Sequence, residues 1–295
     1  MINSKFNFFN MIKKMFRHYI LNKLDEFGLE INKKEWINIF NENFLLTKGG
    51  FGQGHDKDDS WIFVLSRFHS NILDIGCNIG QSAFLMAIDR NSNLVCVDPN
   101  PRAITRCAEN LIVNGLSNNC KFINAFVGDE NDKEVEFYSS LTDEAGSMFK
   151  SFAKTSSSIG KSRMVKLLTV DRICENSGLI PDLIKIDVEG AEYLVLKGIN
   201  QILQKGRPKL FIEVHSGEEL SIINNTEDLM SWAKENKYKC YYLRDHSQLT
   251  SSEQIKNRGK FHLIMIDENQ DYPDYLKGVT EKDKLSELNK KHNGK

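Results

Sequence analysis

From Asn71 onward the sequence repeats one unit, a short apolar run closed by an acid or a glycine and followed by an amphipathic stretch, and few architectures accommodate such a repeat. The runs are Ile72-Leu73-Asp74-Ile75, Leu94-Val95-Cys96-Val97, Phe122-Ile123, Leu183-Ile184-Lys185-Ile186 and Leu210-Phe211-Ile212-Glu213-Val214. Between them Ala83, Leu85 and Met86, then Ala103, Ile104, Cys107, Ala108 and Leu111, recur at helical steps. Strands that are apolar on both faces and alternate with helices predict an α/β fold: a mostly parallel sheet with helices on both sides. Tyr238 to Leu243 and Phe261 to Ile266 are joined by a polar connector without a helical pattern, which predicts an antiparallel closing pair. Glu134 to Tyr138 and Met164 to Leu168 read as further strands around a Ser/Thr/Lys-rich insert, residues 139–163.

The flanks differ. Phe8, Phe9, Ile12, Phe16, Tyr19, Ile20 and Leu24, then Trp36, Ile37 and Phe40, fall at helical spacing and predict two N-terminal helices. Such a basic, aromatic-rich extension serves as a cap on the following domain, the alternative being weak peripheral contact with an anionic membrane surface. Glycines and charges from Gly49 to Asp59 predict a loop near the first strand, with His55 and Asp56 placed to close over a ligand. The chain thus divides into a cap and loop over 1–60, a main domain over 61–275, and a charged tail over 276–295 that reads as a solvated helix or a frayed end.

Composition narrows the function classes. Among 295 residues, 39 Lys plus Arg stand against 40 Asp plus Glu, so no overall basic field exists to hold a nucleic acid. No window approaches the roughly 18 uninterrupted apolar residues of a membrane span. The start lacks a compact apolar segment with a cleavage site, and the expectation is a cytoplasmic protein. Cys77, Cys96, Cys107, Cys120, Cys174 and Cys240 show no zinc-type spacing and read as reduced structural thiols.

Asp74-Ile75-Gly76-Cys77-Asn78-Ile79-Gly80 sits where the first strand of the repeat turns into its first helix, the edge at which α/β sheets bind nucleotides. The dinucleotide fingerprint fails there, because Asn78 and Gln81 occupy positions that require glycine, and no phosphate-loop string occurs. Asp98, ending the second strand, is placed to accept both hydroxyls of a ribose, although Asp98-Pro99-Asn100-Pro101 is equally a turn with a helix cap. Asn124 and Ala125 end the third strand beside it.

Asp187 and Glu189 follow the fourth strand, while Glu213 and His215 close the fifth, each pair at the two-residue step that keeps side chains on one face. His215, with an ordinary pKa near ~6.5, is the natural general base, and Asp187 or Glu189 orients it or holds an acceptor hydroxyl. The same four groups are also a donor set for a divalent metal, which is not expected. Glu192 at a helix start is explained equally well by the helix dipole, and Thr169 with Asp171 by capping. Lys185 inside an apolar strand needs a partner, for which Glu213 on the neighbouring strand is the candidate.

Taken together, Asp74 to Gly80, Asp98 to Pro101, Leu168-Thr169-Val170-Asp171, Ile184 to Glu192 and Phe211 to His215 resemble the FkbM family of methyltransferases. The resemblance covers residues 70 to 216, and Lys185-Ile186-Asp187-Val188-Glu189-Gly190-Ala191-Glu192 is its most specific string. Asp98 departs from the glutamate more usual in that family. The resemblance implies a class I, Rossmann-like methyltransferase fold with a seven-stranded sheet and S-adenosyl-L-methionine as cofactor, bound by Asp74, Gly76, Asn78, Gly80, Asp98, Asn124 and Ala125. It also implies methyl transfer to a hydroxyl of a small molecule or glycan, catalysed through His215, Asp187, Glu189 and Glu213. A non-catalytic binding module and an NAD-dependent oxidoreductase are the competing classes.

Overall fold

Every apolar run of the repeat is a strand in the computed structural model, which describes residues 34–48, 59–89, 91–139, 146–147, 162–217 and 220–292. In chain order the first half comprises β1 (Lys34–Ile39), β2 (Glu42–Thr47), α1 (Asp59–Arg67), β3 (Asn71–Ile75), α2 (Gln81–Ala87), β4 (Asn93–Asp98), α3 (Pro101–Val113) and β5 (Cys120–Asn124). A side layer follows: β6 (Phe126–Val127), β7 (Lys133–Ser139), β8 (Gly146–Ser147) and β9 (Ser162–Leu168). The rest comprises α4 (Val170–Ser177), β10 (Leu183–Ile186), α5 (Glu192–Lys197), α6 (Gln201–Lys205), β11 (Lys209–His215), α7 (Ile222–Glu235), β12 (Tyr238–Tyr242), β13 (Ser247–Gln248), β14 (Lys260–Asp267) and α8 (Leu285–His292).

The main sheet runs β13-β12-β14-β11-β10-β3-β4-β5. Strands β5, β4, β3, β10 and β11 are mutually parallel. The later strand β14 inserts antiparallel between β11 and β12, which leaves β12 parallel to the first five. Seven strands therefore form the class I methyltransferase arrangement, and the two-residue β13 adds an eighth at the edge. Alternation along each strand divides the core. Leu73, Ile75, Val95, Ile184 and Ile212 face the layer that contains α4 to α7. Ile72, Leu94, Cys96, Leu183 and Phe211 face the layer that contains α1 to α3 and α8. Among the described residues no helix is long and apolar enough to cross a membrane.

The second of the two expected N-terminal helices is a hairpin instead. Trp36, Ile37 and Phe40 fit a helical step, but β1 and β2 pair antiparallel, Lys34 opposite Thr47 and Ile39 opposite Glu42. Phe40 and Asn41 both carry positive φ, +55° and +67°, the backbone of a two-residue hairpin turn whose twist matches that of the strands. Burial then follows period two, with Phe44 and Leu46 inside and Trp36 exposed. The first N-terminal helix and the loop carrying His55 and Asp56 lie outside the described residues.

Two further expectations are refined. The strands on either side of the insert form a separate small sheet, β6-β9-β7-β8, rather than an extension of the main one. Its apolar side, Phe126, Phe137, Val165 and Leu167, packs on Ala191. The tail is neither solvated nor frayed through residue 292: Leu276, Val279, Leu285 and Leu288 are buried against α1 and its neighbours. Ser60 Oγ and Trp61 Nε1 donate to the carbonyls of Thr280 and Val279 at 2.7 and 2.9 Å, and Phe68 stacks on Tyr275 at 4.0 Å. The charged residues that suggested solvation occupy the outer face of α8.

Candidate active site

The glycine loop works by close approach. Gly76 has φ +77°, and a Cβ there would stand 1.7 Å from the carbonyl oxygen of Asp187, so only glycine lets the exit of β3 press against the exit of β10. Gly80, at φ +93°, is the N-terminal cap of α2, and a Cβ on it would meet Cys107 Sγ at 2.7 Å. The sulfurs of Cys77, Cys96 and Cys107 lie together beneath this loop, all free thiols. Asp74 is fully buried and structural: its Oδ2 accepts from Ser82 Oγ at 2.7 Å and its Oδ1 faces Lys185 Nζ at 3.3 Å. Asp74 and Gly80 thus shape the loop from behind without lining the cleft in front of it.

That cleft holds about 640 Å³ of empty space, part of it open to solvent, within the roughly 300–1,000 Å³ of small-molecule sites. Gly76, Asn78, Asp98 and Asn100 form its polar rim, and Ala125, Phe126 and Phe137 an apolar wall. Asp98 Oδ1 accepts from the Asn100 N–H at 2.8 Å and Oδ2 from the Asn78 N–H at 2.9 Å, which locks the acid between both loops. Burial pushes Asp98 up to about 8, further than those two N–H groups hold it down. The Asn100 side chain caps α3 through the Arg102 N–H, with Pro101 in the first helical turn. Asn124, expected beside the ligand, points outward and donates to the Asp98 carbonyl at 2.9 Å, whereas Ala125 lines the cleft.

The far end of the cleft is acidic. Asp187 and Glu189 line it, and Glu189 at φ +50° with Gly190 at +97° turns the chain sharply before α5. Behind them Glu192 is completely buried and accepts three hydrogen bonds, from the Gly190 N–H at 3.0 Å, His215 Nδ1 at 2.8 Å and Asn225 Nδ2 at 3.0 Å. The helix dipole alone does not explain it. Asn225 also donates to the His215 carbonyl at 2.9 Å, so α7 and α5 together fix the end of β11. His215 Nε2 faces Glu189 Oε2 at 3.6 Å, Asp187 Oδ1 at 3.7 Å and Glu213 Oε2 at 3.9 Å. All four expected catalytic residues therefore converge.

Their electrostatics differ from the sequence expectation. Burial pushes His215 down, but the Glu192 hydrogen bond and the charges of Asp187 and Glu189 outweigh it and lift the imidazole to about 10. The carboxylates around His215 thus favour the charged imidazole more strongly than water does. Burial raises Glu189, while for Asp187 the nearby Lys185 and His215 overcome burial and hold the carboxyl low. Lys185 does not pair with Glu213. The parallel register places it opposite Asp74, and its Nζ reaches Asp74 and Asp187, both at 3.3 Å, and the Gly76 carbonyl at 3.1 Å. Glu213, one step further along β11, is held instead by Lys260 of β14. Thr169 caps α4 as expected, and Asp171 receives the N–H groups of Asn200, Gln201 and Ile202 at 2.8–3.1 Å, away from the cleft.

Sequence reasoning missed Phe137 and Asn225. Phe137 reaches the cleft only through the pairing of β7 with β9, and Asn225 only through the packing of α7 on α5, so neither leaves a local signal. Glu192 belongs to the most specific string of the chain, yet its position at a helix start concealed its role.

An α/β sheet of this strand order, with a glycine loop, an acid after the next strand and a polar carboxyl edge, is the Rossmann-like class I methyltransferase fold. The chain belongs to the family of the FkbM methyltransferase domain, whose pattern matches residues 74–240. It is 30% identical over 149 residues to 2-O-methyltransferase NoeI of Sinorhizobium fredii, a match covering 46% of this chain and 60% of that protein, under two thirds of its length. Among solved structures it is similar to the FkbM methyltransferase of Methylobacillus flagellatus, at 16% identity and a TM-score of 0.42 over 67% of this chain and 43% of that one. It is likewise similar to the tRNA (uracil-54, C5)-methyltransferase of Pyrococcus abyssi, at 13% identity and a TM-score of 0.42 over 79% of this chain and 43% of that one.

Proposed function

We propose that the protein is an S-adenosyl-L-methionine-dependent O-methyltransferase acting on a hydroxyl of a sugar, glycan or secondary metabolite. The observation that carries this reading is the acidity of the cleft: among the described residues its walls include Asp98, Asp187 and Glu189 and no lysine or arginine. A pyrophosphate-bearing dinucleotide calls for backbone N–H groups or cations, whereas a sulfonium and an ammonium are favoured by acids. Asp98, fixed by two backbone N–H groups, fits a ribose diol, and Phe126 with Phe137 fits the flat face of a base. When bound, the cofactor supplies an electrophilic methyl group.

The chain's own residues then hold the acceptor and remove its proton. Asp187 and Glu189 line the cleft, whereas Glu213 and His215 stand behind them. Glu189, whose side chain is 39% exposed, is the carboxylate that would receive the hydroxyl proton as the acceptor oxygen bonds the methyl carbon and the carbon–sulfur bond breaks, its electron pair staying on sulfur. Asp187 keeps one oxygen on Lys185 and turns the other toward His215, which orients the pair. The similarity to a 2-O-methyltransferase supports oxygen as the accepting atom.

The test is calorimetric titration of the purified protein with S-adenosylhomocysteine, beside NAD and repeated on Asp98→Ala. Binding of the homocysteine compound that collapses in the variant, with NAD silent, supports the reading and leads to a screen of hydroxylated acceptors with labelled methyl donor. Binding of NAD alone, or of neither by folded protein, overturns it.

A further inference from the structure

We infer that Asp187, Glu213 and His215 form a site for one divalent cation, of the Mn2+ type, at the inner end of the cleft. One ligand atom from each of the three lies within 4.8 Å of the other two. The orientation of each side chain supports the site independently. Asp187 gives Oδ2 to Lys185 and turns Oδ1 inward; Glu213 gives Oε1 to Lys260 and turns Oε2 inward. His215, only 5% exposed, commits Nδ1 to Glu192 at 2.8 Å and aims Nε2 at the same point, where a cation takes the lone pair and releases the Nε2 proton to water. Each side chain therefore has one atom anchored from behind and one directed at a common centre.

Distances separate a cation site from a hydrogen-bonded cluster. Nε2 stands 3.6–3.9 Å from the carboxylate oxygens of Glu189, Asp187 and Glu213, beyond hydrogen-bond reach. Ligands that share one ion at about 2.0–2.2 Å stand roughly 3.0–3.6 Å from each other, so small side-chain movements close the set on a metal. A histidine whose other nitrogen is held by a buried carboxylate is the arrangement that fixes tautomer and ring orientation in metal sites. One imidazole with carboxylate oxygens selects a hard or borderline divalent ion over a soft one. Glu189, beside the set at 3.6 Å and open to the cleft, is a further oxygen for an ion or for its water. A positive charge here lowers the pKa of a hydroxyl that reaches it, a role that rests on the methyl-transfer reading, whereas the site itself does not.

The experiment is titration of chelator-treated full-length protein with Mn2+ alone, followed by calorimetry and by loss of the free-ion paramagnetic resonance signal. The wild type is expected to take up one Mn2+ per chain at submillimolar ion. Asp187→Asn and Glu213→Gln are expected to abolish uptake over that range, and Glu192→Gln, acting through His215, to weaken it by roughly 10- to 100-fold. Circular dichroism and a cooperative thermal unfolding transition verify that each variant is folded. No uptake by folded wild type up to several millimolar ion, or uptake that either folded ligand variant, Asp187→Asn or Glu213→Gln, retains unchanged, overturns the proposal. Mn2+ uptake without S-adenosylhomocysteine binding keeps the cation site and removes the methyltransferase reading, and the reverse result does the opposite.

Discussion

Single side chains carry the chemistry through the partners that fix them, and this makes two of them testable alone. Asp98 sits between two backbone N–H groups, and burial pushes it up to about 8. A ribose diol donates best to the ionised carboxylate, so the protonated form that accumulates as pH falls below 8 competes with binding. Affinity for S-adenosylhomocysteine is expected to weaken roughly tenfold for each unit of pH below about 8, and to level off above it. In Asp98→Asn that slope disappears and affinity at pH 8.5 falls roughly 30- to 100-fold, since one or two charge-assisted bonds are lost. Calorimetry from pH 6.5 to 8.5 checks both; a wild-type profile as flat as the variant's rules the assignment out. Glu192 is the complementary case, a buried acid whose removal leaves the Gly190 N–H, His215 Nδ1 and the Asn225 amide without it. Glu192→Ala is expected to cost about 3–5 kcal/mol in chemical denaturation and Glu192→Gln clearly less. Equal losses would mean that the site is held together by packing and not by that carboxylate.

At the scale of elements, what was legible in the sequence depended on whether a signal was local. The strands β3, β4, β10 and β11, with their closing acids, show in the sequence because a buried strand must be apolar along its length and a chemical group must follow its carboxyl end. The hairpin was not legible, because Phe40-Asn41 lacks the glycine that usually marks a two-residue turn. Nor was the Lys185–Asp74 pair, which depends on register between strands distant in sequence. What anchors the hairpin is also non-local: Asn110 on α3 accepts from Thr47 N–H and Oγ1, both at 3.0 Å, and donates to the Ile79 carbonyl at 2.9 Å. One buried amide thus ties β2 to the glycine loop. Asn110→Ala leaves the Thr47 N–H and the Ile79 carbonyl unpaired inside, and is expected to cost about 2–4 kcal/mol in stability and to weaken S-adenosylhomocysteine binding. Denaturation and calorimetry on the same sample test this; a loss of stability with unchanged binding would detach the hairpin from the cofactor loop. Gly76→Ala is expected to be more severe and to give little folded protein, because its Cβ would overlap the Asp187 backbone.

For the whole molecule, the question is what closes the face of the sheet that carries the hairpin and α1 to α3. The charged tail does so in part. Leu276, Val279, Leu285 and Leu288 are each at most 4% exposed, and the carbonyls of Val279 and Thr280 accept hydrogen bonds from Trp61 Nε1 and Ser60 Oγ. At about 1.5–3 kcal/mol for each buried aliphatic side chain, these four contribute roughly 6–12 kcal/mol. That is comparable to the roughly 5–15 kcal/mol by which a whole domain is stable. A chain ending at Asp271 would also uncover Trp61 and Phe68, so it is expected to lose cooperative unfolding and to bind hydrophobic dyes, although it keeps every cleft residue. Lys290→Ala and Lys291→Ala, on the exposed side of α8, are expected to change stability by less than about 0.5 kcal/mol. Together the two experiments separate the inner face of the tail from its outer one. If the truncated chain melted as sharply and as high as the full one, the packing of α8 on α1 would be incidental, and the stability of the cleft would have to come from the sheet and its other helices alone.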